Sequence, residues 1–105
     1  MERKKVSHIL FNEIEQYVTI ISGTTEEEAT RRSCYYQDIY DNFKIVKTIK
    51  HSNSRHLWVA DFLDKHKYNI PEVITGHSKK EVKITAATIR NLLKEKPNYQ
   101  IYKLY

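Results

Sequence analysis

The chain has 105 residues, 18 Lys+Arg against 13 Asp+Glu, and a formal net charge of +5 with its five histidines neutral. That length suits a single domain spanning residues 1–105 and excludes a large α/β barrel or a catalytic domain joined to a regulatory one, while 40% hydrophobic residues with two Gly and two Pro exclude a linker, a collagen-like repeat or a disordered tail. No apolar run approaches the ~18–20 residues that span a bilayer, and the opening Met1-Glu2-Arg3-Lys4-Lys5-Val6 lacks the apolar core of a secretory signal, so a cytoplasmic protein with no membrane partner is expected.

In chain order, Val6–Phe11 and Tyr17–Ser22 read as two strands, the second a β-branched run ending at Gly23. A helix follows. Thr25 and Glu28 have capping-box spacing, Glu26, Glu27 and Glu28 suit the positive end of the helix dipole, and Glu27–Arg31 and Glu28–Arg32 stand four apart. Ala29, Tyr36, Tyr40 and Phe43 extend the pattern, which places the helix end near Asn42. Phe43–Lys50 alternates as a strand with Phe43 and Ile45 inward and lysines outward. After the polar break His51-Ser52-Asn53-Ser54, the apolar positions Leu57, Trp58, Phe62 and Leu63 predict a second helix to about Lys67, with a buried strand over Leu57–Ala60 as the alternative. Pro71 disfavours helical geometry at Ile70. Glu72–Gly76 reads as a short strand or helical turn and Val82-Lys83-Ile84 as extended. Thr85 then caps a third helix, Ala86 to about Lys96, closed by Pro97, and Tyr99–Leu104 ends the chain as an alternating strand.

The order implies a small α+β domain, a mainly antiparallel sheet with about three helices packed on one face. Helix-then-strand occurs twice, as Thr25–Lys47 and Thr85–Lys103, with too little identity to be read as a repeat.

Charge divides unevenly along this order. Residues 1–42 carry −3 and residues 43–105 carry +8. An excess of that size in a small domain is felt by polyanions, because salt screens exposed charges only beyond about 8 Å. DNA or RNA is therefore the expected partner of the basic C-terminal two-thirds. Lys79, Lys80, Lys83, Arg90 and Lys94 are the expected phosphate contacts, with Asn91 and Thr88 for base contacts. The stretch Ile84–Lys94 is similar to the recognition helix of a helix-turn-helix, although Lys80–Ile84 leaves no room for the preceding helix.

Catalysis is not expected. No Walker A, His-Glu-x-x-His or Gly-x-Ser-x-Gly pattern occurs, and the grouping of His51, His56, Asp61, Asp64 and His66 lacks the spacing of a metal or acid–base site. No cofactor or metal is implied. The single Cys34 can form no internal disulfide, fits a reducing compartment and reads as a small packed residue. Lys outnumbers Arg 13 to 5 and Ile reaches 12, usage that points to a phage or mobile element. The alternative function is therefore a phage-type inhibitor that binds a host or defence protein without affinity for nucleic acid. Its acidic helix would face that partner through Glu27, Arg31, Asp38 and Asp41, and the terminal strand would allow a homodimer by strand pairing.

Overall fold

The computed structural model describes residues 3–105, so Glu2, counted above among the acids, lies outside the described residues. Strands β1 (Val6–Asn12) and β2 (Tyr17–Gly23) form a hairpin, helix α1 (Glu26–Ile39) follows, and β3 (Lys44–Lys50) pairs with the other side of β1. Strand β4 (Trp58–Phe62), a single 3-10 turn at Lys65–Lys67, β5 (Ile74–Gly76), helix α2 (Lys79–Leu92) and β6 (Tyr99–Lys103) complete the chain. The strands make two three-stranded antiparallel sheets, ordered β2-β1-β3 and β5-β4-β6. The α+β class is as expected. The single sheet with about three helices on one face is corrected to two sheets and two α-helices.

These elements form one unit used twice. In each, the first strand is central, the second and third flank it, and the helix lies between the second and third in sequence. The registers agree: Val6 faces Gly23 and Lys50, and Trp58 faces Gly76 and Lys103. The matching sequences are Ile21-Ser22-Gly23-Thr24-Thr25-x-x-Glu28 and Ile74-Thr75-Gly76-His77-Ser78-x-x-Glu81. Pairing Thr25 with Thr85 hides this relation, because the second cap is Ser78.

Three local expectations change for physical reasons. Residues 58–62 are a strand because Trp58, Ala60 and Phe62 alternate toward α2, and the left-handed Asp64 (φ 55°) turns the chain immediately afterwards. Val82-Lys83-Ile84 is helical, since Ser78 Oγ accepts from the Glu81 amide at 3.2 Å and Val82, Ala86 and Ile89 form an apolar stripe of helical spacing. Thr85 is therefore no cap: it is buried inside the helix and its hydroxyl donates to the Glu81 carbonyl at 2.9 Å. Both helices also end earlier than expected, at Ile39 and Leu92. Asn42 takes the left-handed conformation (φ 68°) that starts the turn into β3.

Helix α1 covers the face of the first sheet that carries His8 and Leu10, approaching closely because its buried residues, Ala29 and Ser33, are small. The opposite face carries Ile9, Phe11, Val18 and Ile49. It shares one core with Val82, Ala86, Ile89 and Leu93 from α2 and its cap, and with Ala60, Phe62 and Ile74 of the second sheet. Ile45, expected inward, is 37% exposed, whereas Phe43 packs against Tyr17 and Tyr36. Cys34, expected packed, is exposed.

Gly23 ends β2 where α1 begins, and a Cβ there would stand 2.6 Å from the Ala29 amide nitrogen. Gly23→Ala is expected to cost about 1–3 kcal/mol through overpacking against backbone. The buried Ser33 hydroxyl has no hydrogen-bond partner among the described residues, so Ser33→Ala is expected to stabilise by about 1 kcal/mol. Urea unfolding midpoints of the two variants should move in opposite directions.

Candidate functional site

The surface cations gather on one side of α2. At 3.6 residues per turn, Lys79, Lys80, Lys83, Arg90 and Asn91 fall within an arc of ~120° and span ~18 Å along the axis. Lys79, Lys80, Lys83 and Asn91 are exposed and Arg90 is half-buried. Among the described residues, none of the four cations makes an ion pair, whereas Lys65, Lys67 and Arg32 pair with Asp61, Asp64 and Glu28. Ala87, partly exposed, lies within the same arc and keeps it low at its centre.

Two of the expected contacts stand apart. Thr88 lies outside that arc, half-buried, with its hydroxyl donating to the Ile84 carbonyl at 2.8 Å. Lys94 follows the C-cap Leu93, and its amide donates to Gln16 Oε1 at 2.9 Å. It is exposed beside Glu95 and Lys67 rather than on the helix face. The helix-turn-helix likeness is also lost, since α2 runs unbroken from Lys79 and β5 precedes it.

The only acid of α2, Glu81, is turned away from this face and is 7% exposed. Its Oε1 accepts from His51 Nδ1 at 2.7 Å and the His77 amide at 3.1 Å. Its Oε2 accepts from the Ser52 amide at 3.0 Å, Ser52 Oγ at 2.8 Å and Ser78 Oγ at 2.9 Å. Burial pushes the carboxyl upward, but the Ser52 and His77 amides, His51 and the Ser52 hydroxyl outweigh it and hold the pKa at about 2. Glu81 is thus a carboxylate, which fixes the proton of neutral His51 on Nδ1. Nε2 then accepts from Ser7 Oγ at 2.7 Å, and Ser7 Oγ is 2.7 Å from Ser22 Oγ. Burial is also the main cause lowering the His51 pKa, opposed by its bond to Glu81.

Hydroxyl, imidazole and carboxylate follow one another here as in serine hydrolases, yet Ser7 is 3% exposed and its strand is hydrogen-bonded on both sides. The chain of bonds acts as a joint. It ties the end of β3 and the centre of the first sheet to the N-terminus of α2, so the lysines of β3 and of α2 hold fixed relative positions. Arg3 braces the same loop, donating to the carbonyls of Ser52 and Ser54 and, at 3.1 Å, to Asn53 Oδ1. Sequence reasoning missed this joint because its members are 44 and 30 residues apart. The readable signal was Ser78-x-x-Glu81, the second capping box.

The other grouping weighed from sequence does not assemble: among the described residues no three or more His, Cys, Asp or Glu side chains are placed to hold a metal ion. No described helix is long and apolar enough to cross a membrane. Family models, curated proteins and solved structures give no match to this chain.

The joint makes stability depend on pH with a defined sign. His51 titrates below 6.5 in the folded protein, so its contribution is complete above pH 6.5 and is lost as pH falls below it, where the unfolded chain protonates first. Glu81 titrates at about 2 rather than 4.5, so its contribution, about 3 kcal/mol, is lost as pH falls from 4.5 toward 2. Urea midpoints should be level just above pH 6.5 and fall in two stages below it. His51→Gln should remove the upper stage alone. At neutral pH Glu81→Gln should cost about 3 kcal/mol, because an amide cannot accept all five bonds.

Proposed function

We propose that the protein binds nucleic acid, DNA or RNA, through the outer face of α2, as a small non-enzymatic regulator. The observation carrying this reading is that Lys79, Lys80, Lys83 and Arg90 share one solvent-facing side without an ion-pair partner among the described residues, while Glu81 of the same helix is buried beneath. A cationic face of this size is attracted to phosphate regardless of sequence, and its affinity comes from releasing counterions. Asn91, exposed at the far end, has donor and acceptor groups of the type that reads an adenine edge. Thr88 and Lys94 stand outside this arrangement.

A second reading, an inhibitor acting on another protein, draws on a different surface. Tyr35 and Ile39 are four apart on α1 and are 68% and 52% exposed, with Tyr40 at 51% beside them. Exposed apolar groups so grouped are typical of protein interfaces.

Fluorescence anisotropy with labelled DNA and RNA separates the two. Binding is expected to weaken steeply with salt, and Lys83→Ala and Arg90→Ala should each lower the log–log salt slope by about one and weaken binding on all sequences alike. Salt-independent binding, or none, would discard this function. Loss of binding to a protein partner on Tyr35→Ser with nucleic-acid affinity absent would favour the inhibitor.

A further inference from the structure

The register of β3 contains a device that sequence alternation hides. Ile45 pairs with Leu10 but the next ladder position pairs Lys47 with Ile9, so Val46 is a bulge. Three residues apart, Lys44 and Lys47 would lie on opposite faces of a regular strand. The extra residue brings both to one face, opposite Phe11 and Ile9 respectively. That is the face turned toward α2. Lys50, opposite Val6, lies on the other face, where its ammonium is 3.9 Å from Glu26 of α1.

Because β3 is an edge strand, a groove runs between it and α2 as two successive hollows. One, of about 320 Å³, is bordered by Lys47, Lys80 and Ile84, with Lys50 at its end and the acid Glu81 also on its lining. The other, of about 550 Å³, is bordered by Lys44, Val46 and Asn91, with Glu13 as its one acid. The only ring lining the groove, Phe11, is buried, and the exposed Tyr17, Tyr35, Tyr40, Tyr102 and Tyr105 lie outside it. Proteins that hold single strands take about 1–3 kcal/mol from each base stacked on an aromatic ring, and this groove has no ring to offer.

We propose that the groove seats one sugar–phosphate strand of a double-stranded nucleic acid, with Lys44 and Lys47 on one wall and Lys80 on the other. This inference rests on the reading of α2 as a nucleic-acid face and narrows its ligand to duplex backbone. Recognition in the groove is of charge and is independent of sequence. The bulge at Val46 is what makes β3 part of the surface.

The test compares the two groove lysines of β3 with Arg31, an exposed cation of α1 on the opposite face of the first sheet. Duplex and single-stranded DNA of equal length are titrated against the wild type, Lys44→Glu, Lys47→Glu and Arg31→Glu, with circular dichroism to verify folding. Lys44→Glu and Lys47→Glu should each weaken duplex binding about tenfold and lower the salt slope by about one, whereas Arg31→Glu should change affinity less than about twofold. Duplexes of different sequence should bind alike, and inorganic polyphosphate, which has no bases, should compete. Equal losses from Arg31→Glu and Lys47→Glu, or tighter binding of the single strand, would overturn the groove while leaving nucleic-acid binding intact. Absence of any binding by the wild type would remove both.

Discussion

A carboxylate taken out of water must recover its solvation from fixed donors, and the arrangement of this protein follows from how Glu81 does so. Five hydrogen bonds converge on it from His51, Ser52, His77 and Ser78. Two come from the capping turn of its own helix and three from the loop that leaves the first sheet. Deleting any one of these groups without a substitute donor leaves the buried charge less well solvated, a penalty of about 1–3 kcal/mol. The bonds therefore fix where α2 starts relative to β3. The next link, His51 to Ser7, carries the same constraint to the central strand.

The two halves of the chain use the same cap with opposite results. In the first unit, Glu28 reaches back to the Thr24 amide at 3.4 Å and pairs with Arg32 at 3.2 Å. Its side chain is 22% exposed, so water shares the work. In the second unit the corresponding Glu81 is covered by the segment following β3, and imidazole, amide and hydroxyl groups replace the water. One local motif thus serves as a simple helix start in one copy and as the contact between copies in the other. The helices diverge accordingly. Helix α1 buries only Ala29 and Ser33, whereas α2 buries Val82, Ala86 and Ile89 in the shared core; both follow a glycine at a strand end, where a Cβ would crowd backbone in the first unit and the Glu81 and Val82 side chains in the second.

Local chemistry was legible wherever it had no competitor. The β-branched run of β2, the Thr25 cap with its triple glutamate, and the alternation of β3 and β6 led to elements that match the fold within a few residues. Legibility failed where two patterns overlapped. Glu81–Ile84 alternates polar and apolar residues, but the Ser78 cap and an apolar spacing of four and three residues through Val82, Ala86 and Ile89 decide for helix. Leu57–Leu63 has apolar residues compatible with either period, and pairing on both edges of β4 selects the strand. The joint was illegible because a serine at position 7 and a histidine at 51 gain meaning only when β1 and β3 are adjacent. Of the expected phosphate contacts, Lys79, Lys80, Lys83 and Arg90 share a face because they lie on one helix. Lys94 does not, since that helix ends before it.

The division of charge along the sequence is therefore not a division of the folded surface. The basic excess of residues 43–105 begins with Lys44 and Lys47, which belong to the first structural unit, and continues on α2 of the second. They meet because β3 is an edge strand with a bulge and because the Glu81 joint holds α2 alongside it. Burying that one acid has a double effect: it anchors the helix and it leaves the helix surface with cations alone. A solvent-facing glutamate on the lysine side of this helix would offset one of its four cations. The stabilising and the positioning roles of Glu81 are thus one arrangement, and a protein that exposed this carboxylate would lose the five bonds that hold α2 alongside β3.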